Sequence, residues 1–253
     1  MSETVDFTWL PTGTCLVGEY GSRAHGTANE DSDRDFHGIR VEPRQFITGL
    51  SSFDHVRHST AVQGQPSGPD DIDTTVYGLR KWALLAADGN PNVHMLPNLP
   101  EHIVRTDIGQ MLLDGYPLFV TRRVIPKFHG YLGSQRHALL GERGPRVHRP
   151  ELVARHSFDT KFAYHMVKVG LQGVELVRDG HMTIPFTGET RQVLLDIRAG
   201  KYALDDVLDM AADIDDELTR EGAKADIPDD PDWDAINRLL NNLYEASWAL
   251  SDD

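Results

Sequence analysis

A single cysteine in 253 residues, Cys15, rules out any internal disulfide, and no Cys/His cluster offers a structural zinc spacing. No run of roughly eighteen apolar residues occurs, so the sequence holds no helical membrane-span candidate. The opening MSETVDFTWL carries two acids and no basic residue, unlike a secretory signal. These absences read as a globular protein of a reducing cytoplasm. Positive charge is scarce too: 25 Lys and Arg against 39 Asp and Glu leave a net charge of −14. That argues against broad, sequence-independent binding to nucleic acid, which depends on neutralising many phosphates.

The scarcity is uneven. Residues 121–161 hold nine Lys or Arg (Arg143 and Arg146 among them) and only three acids. That local surplus can guide a polyanion into a cleft, or it can pair with the acidic C-terminal half.

Patterning divides the chain. Residues 14–20 (TCLVGEY), 35–41 (DFHGIRV) and 71–76 read as strands. Residues 51–70, rich in Ser, Gly, Gln, Pro and His, read as a loop. A helix is expected over 77–87, stopped by the turn cluster DGNPN. Beyond residue 103 the apolar spacing is helical, with helices expected at 108–114, 118–140 (broken at Pro126), 157–178, 187–199, 204–221 and 232–250. GERGPRVHRP, residues 141–150, reads as an exposed loop. The division falls between residues 1–100 and 101–253.

The chemistry concentrates in GSRAHGTANEDSDRDFHGI, residues 21–39. A strand ending in Gly21 and Ser22 before a helical turn leaves backbone N–H groups facing outward, the geometry that binds phosphate. Gly21 lets the backbone approach a ligand and the Ser22 hydroxyl adds a hydrogen bond. Asp33 and Asp35 stand two apart, so in extended chain both carboxylates share one face. Hard oxygen donors of this kind suit Mg2+ or Mn2+ together with substrate phosphates. Asp73, in the third strand, is the candidate third acid and general base, with Asp71 its rival. Lys161, His165 and Lys168 follow i, i+4, i+7 spacing and form one stripe on a helix. Arg23, Arg80 and Lys81 are further candidates to neutralise phosphate, although each also reads as a solvated surface residue.

Two other metal readings fit less well. Asp31, Asp33, Asp35 and Glu42 occupy the first, third, fifth and twelfth positions of a calcium loop, but Phe36 stands at the sixth, where the sharp turn needs Gly. The His-rich stretches at 54–58 and 129–156 match no zinc ligand spacing.

The sequence resembles the polymerase β-type nucleotidyltransferase superfamily, whose motif is Gly-Ser followed by Asp-x-Asp and a later Asp. Within it, the chain is most similar to the RNA-ligase-associated branch. Three blocks carry the resemblance in order: residues 21–39, then DTTVYGLRKWALLAADGNPN at 73–92, then KFAYHMVKVGLQGVELVRDG at 161–180. The resemblance implies an α+β fold, with a catalytic core of mixed sheet and flanking helices over 1–100 and a mainly helical C-terminal domain over 101–253. It implies that Ser22 contacts the nucleotide phosphates, that Asp33 and Asp35 bind both metal ions and that Asp73 activates the acceptor. His25 stands where an aromatic such as Tyr is frequent, and its role is undefined by the motif.

The function expected is Mg2+-dependent (or Mn2+-dependent) transfer of a nucleoside monophosphate from an NTP such as ATP to an acceptor hydroxyl, releasing pyrophosphate. An RNA 3′ end, for example of a tRNA, is the favoured acceptor, through the family association and the basic stretch 121–161. A protein or small-molecule acceptor, or a nucleotide sensor without turnover, would use the same site. Preferred NTP and oligomeric state are left open by the sequence.

Overall fold

The structure, a computed structural model, describes residues 6–30, 32–61, 68–142 and 149–250. Strand β1 (Thr14–Tyr20) runs into a single helical turn, α1 (Gly21–Ala24), and β2 (Arg34–Arg40) follows a short polar connection. After α2 (Arg44–Thr48) come β3 (His55–Ser59), β4 (Ile72–Gly78), α3 (Leu79–Ala87) and α4 (Pro91–His94). β5 (Val104–Arg105) and α5 (Asp107–Asp114) lead into the helical part. It comprises α6 (Val124–Leu139), α7 (Pro150–His156), α8 (Thr160–Asp179), α9 (Gly188–Arg198), α10 (Leu204–Lys224) and α11 (Trp233–Ala249).

The sheet is mixed and five-stranded, in the order β3-β4-β2-β1-β5. β2 and β4 run parallel while the other pairs are antiparallel. The parallel register sets Asp35 beside Asp73. Helices flank this sheet, and the C-terminal part is mostly helical. One buried cluster joins the two, running from Leu16 and Ile39 through Trp82 and Phe128 to Met166 and Leu243. β5 pairs with β1, so the sheet draws a strand from beyond residue 100.

α8 is the axis of the helical part, packed by α6, α9 and α10. Asp159 caps its start, accepting from the Lys161 and Phe162 N–H groups at 2.9 and 3.2 Å. Gly180, in the left-handed region, ends it. Gly170 and Gly173 let its neighbours close in: an added Cβ would lie 2.6 Å from Ile214 on α10 or 2.6 Å from Phe128 on α6.

Three expectations are corrected. The stretch 51–70 contains an edge strand, β3, whose sequence HVRHS alternates exposed and half-buried positions with Val56 as its only aliphatic residue, too weak a pattern to stand out. Pro126 does not break the helix expected at 118–140. Instead α6 starts at Val124, after a 3₁₀ turn at Tyr116–Phe119, and places Pro126 in its first turn, where no N–H is needed. The helix expected at 77–87 starts at Leu79, because β4 continues through Tyr77 and Gly78. The buried Glu42 carboxylate accepts the Leu79 and Arg80 N–H groups at 3.0 and 3.3 Å and caps α3 where Gly78 has no side chain to do so. Residues 143–148 of the expected loop at 141–150, and Asp31 of the calcium-loop spacing, lie outside the described residues. No helix among the described residues is long and apolar enough to cross a membrane.

Candidate active site

The site begins at the end of β1. Gly21 has φ +71°, and a Cβ there would sit 2.2 Å from Asp35 Oδ2, so strand and carboxylate approach this closely only because the residue is glycine. The connection from α1 to β2 is held by short-range bonds. Asn29 and Ser32 close a turn on each other, with Ser32 Oγ donating to Asn29 Oδ1 at 2.7 Å and accepting from the Asn29 N–H at 3.0 Å. Arg23 donates to the carbonyls of Ser32 at 2.9 Å and Asp33 at 3.3 Å. Its guanidinium therefore braces the backbone leading to the acids.

Asp33, Asp35 and Asp73 converge, each half-buried and each offering a carboxylate oxygen within 4.8 Å of the others. Period-two spacing puts Asp33 and Asp35 on one face, and the parallel register brings Asp73 alongside. Asp71 is turned elsewhere, accepting from the Gly68 N–H at 2.7 Å and the Thr60 hydroxyl at 3.3 Å. Glu42, capping α3, is likewise outside the cluster. Three hard oxygen donors so close together could hold a metal ion.

Opposite the acids stands α8. Lys161, His165 and Lys168 line a cleft of about 450 Å³ together with Gly21, Ser22, Asp33 and Asp35. Gln172 continues the stripe, Tyr131 enters from α6 and Arg198 from α9. The electrostatics of the two walls are complementary. Burial, with the like charges of Asp33 and Asp73, pushes the Asp35 carboxyl up to about 6. Burial pulls the Lys168 ammonium down to about 8, against the opposing pull of Asp35. Lys161 is also lowered by burial and by Arg149, and His165 is held well below its ordinary range by burial and the neighbouring lysines.

His25 ties the walls together. Its Nδ1 bonds the Gly21 carbonyl, its Nε2 accepts from the Gln172 amide at 3.0 Å, and its ring stacks on Phe186 at 5.7 Å. Burial drives its pKa down to about 3, so it works as a neutral imidazole. Thr27 and Tyr164 share a hydroxyl bond of 2.6 Å, and Arg198 donates to the Thr27 carbonyl. Of the other candidates, Lys81 pairs with Asp54 at 3.2 Å and Arg80 is exposed; neither lines the cleft. Gln172 was within reach of sequence reasoning as the next step of the α8 stripe, whereas Tyr131 and Arg198 arrive from separate helices with no local signal.

Residues 11–242 match RlaP, the RNA repair pathway DNA polymerase beta family. The chain is 30% identical over 138 residues to an uncharacterised 38.9 kDa protein of the nrdC-mobD intergenic region of Enterobacteria phage T4. That alignment takes in 53% of this chain and 40% of the phage protein. Among solved structures, a nucleotidyltransferase-like protein from Exiguobacterium sibiricum 255-15 is similar at a TM-score of 0.30 and 8% identity, over 94% of this chain and 73% of the other.

Proposed function

The chain belongs to the RNA repair pathway DNA polymerase beta family, and from that premise we propose that it transfers a nucleoside monophosphate from an NTP to the 3′ hydroxyl of an RNA, in the cytoplasm. The observation that carries this reading is the convergence of three carboxylates within 4.8 Å, two of which, Asp33 and Asp35, share one cleft with Lys161 and Lys168. In this reading residues 1–100 are the catalytic core and residues 101–253 supply the phosphate-binding wall.

When bound by Asp33, Asp35 and Asp73, Mg2+ (or Mn2+) supplies Lewis-acid polarisation of the α-phosphate and neutralises charge on the leaving group. The residues do the rest. Ser22 donates its hydroxyl to a phosphate oxygen beside Gly21, while Lys161, His165 and Lys168 meet the β- and γ-phosphates. Asp73 accepts the proton of the attacking hydroxyl as its oxygen bonds to the α-phosphorus. The α–β bridging bond breaks, and its electron pair leaves with pyrophosphate. The basic stretch 121–161, of which Arg143 and Arg146 lie outside the described residues, favours a polyanionic acceptor.

Incubation with Mg2+ and each labelled NTP, with RNA, protein and small-molecule acceptors in parallel, tests this. Label is expected in RNA and lost in Asp33→Asn and Asp35→Asn, each lowering the rate by roughly a thousandfold or more. Nucleotide binding without label in any acceptor would instead make the protein a sensor.

A further inference from the structure

A second cleft, of about 310 Å³, opens on the other side of Asp35. Both clefts are lined by Asp35 and His37, so the metal-ligand cluster stands at the partition between them. The pairing registers define this second wall. Asp35 is beside Asp73 and His37 beside Thr75, while Arg57 faces Thr75 and His55 faces Tyr77. These residues therefore share one face of the sheet, on which β3 exposes His55 and Arg57.

The two clefts differ in charge. Lys161, Lys168 and Arg198 line the first, which suits a polyphosphate, whereas Arg57 is the one permanent cation among the described residues that line the second. Among the described residues Arg57 has no ion-pair partner. Beside it runs a row of rings: Tyr20 stacks on His37 at 3.9 Å, His37 meets Tyr77 edge-on at 5.8 Å, and Tyr77 lies 6.0 Å from His55. A single permanent positive charge next to rings of which His55 is exposed and Tyr77 half-buried is the chemistry that grips a single nucleic-acid strand.

We propose that this second cleft holds the acceptor strand of a single-stranded RNA, its terminal hydroxyl at Asp73, the phosphodiester behind it at Arg57 and the next base stacked on Tyr77 and His55. The spacing follows the strand: two residues of β4 advance about 7 Å, so Asp73, Thr75 opposite Arg57, and Tyr77 mark three successive stations along the RNA. Lys81, ion-paired to Asp54, stands near the Tyr77 end and serves this side rather than the NTP. The role of Asp73 rests on the nucleotidyltransferase reading; the grip on RNA does not depend on turnover.

The test is fluorescence anisotropy of a 5′-labelled oligoribonucleotide of about ten residues ending in a 3′-deoxynucleotide, titrated with the full chain. Arg57→Ala should weaken binding about tenfold and make the log K against log salt slope shallower by about 0.7, the share of one phosphate on a single strand. Arg57→Lys should recover part of the loss. Tyr77→Phe should bind as the parent does and Tyr77→Leu several-fold more weakly, with NTP affinity unchanged in all four variants. No binding by the parent, parental binding by Arg57→Ala and Tyr77→Leu, or a loss confined to NTP would each overturn the site. RNA held through Arg57 with no transfer from any NTP would remove the proposed activity and leave this site standing. Transfer to RNA at parental KM in Arg57→Ala and Tyr77→Leu would do the reverse.

Discussion

The two walls of the nucleotide cleft are built by opposite means. The sheet wall gathers acids from distant points in the chain through strand register, and like charges meet there: Asp35, buried beside Asp33 and Asp73, is raised to about 6. The helical wall gathers cations along one helix, and there burial strips Lys168 of affinity for its proton, down to about 8. Each wall is electrostatically uncomfortable alone, and each moves the other's groups back toward their charged forms. A ligand carrying divalent cations on one side and polyphosphate on the other resolves both strains at once, which is what a metal–NTP complex offers.

Removing one wall's central charge breaks this pairing most directly. Lys168→Met keeps the apolar length of a side chain that is 5% exposed but deletes the cation facing Asp35. Single-turnover transfer should slow roughly 100- to 1,000-fold, the range for losing one preorganised electrostatic contact to a reacting phosphate. The titration of Asp35 should move higher still. A variant with parental rates would show that the helical wall is only a lid.

The same comparison sharpens with pH. Without a cation, the raised pKa of Asp35 means that the folded chain holds this proton more tightly than the unfolded chain. Its contribution to stability is therefore full below about 4 and lost as pH rises through about 6. With Mg2+ the sign reverses, since binding needs the ionised carboxylate. Thermal melts with and without Mg2+ should coincide at pH 5 and diverge above pH 6. At about 100 times its Kd, the ion adds roughly 2.7 kcal/mol. Curves that stay parallel across this range would dissociate Asp35 from metal binding.

How much of this was legible follows the same divide. The Gly21-Ser22 turn, the Asp33/Asp35 pair and the α8 stripe are local patterns, with periods that sequence reveals directly. The choice of Asp73 over Asp71 was not local: it depends on β4 lying parallel to β2, which sets Asp73 against Asp35 and leaves Asp71 in a turn with Gly68. Lys81 read as a phosphate ligand because it follows the third strand, yet the turn into α3 carries it to Asp54. β3 went unread because an edge strand of His, Arg and Ser has little apolar alternation to show. His25, undefined by its motif, gained a role only when α8 brought Gln172 to its far nitrogen.

The smallest expected effect measures how firmly the walls are joined. The Tyr164 hydroxyl on α8 meets the Thr27 hydroxyl at 2.6 Å, and among the described residues the wholly buried Thr27 hydroxyl has one other partner, the Ser22 backbone carbonyl at 3.4 Å. Tyr164→Phe keeps the ring near Arg198 and Lys168, at 5.3 and 5.8 Å, and removes only the bond. The cost should be about 1–2 kcal/mol, because the buried Thr27 hydroxyl loses its shorter bond and keeps only the long one to Ser22, with a several-fold rise in KM for NTP as the Ser22 turn loosens. Thr27→Val alone should cost about the same. The double variant should cost less than the sum of the two, since both single variants remove the same bond and the double leaves neither hydroxyl behind. Strict additivity in chemical denaturation would mean that the turn and α8 are held together elsewhere, and that the helical wall is not fastened to the acids through this bond.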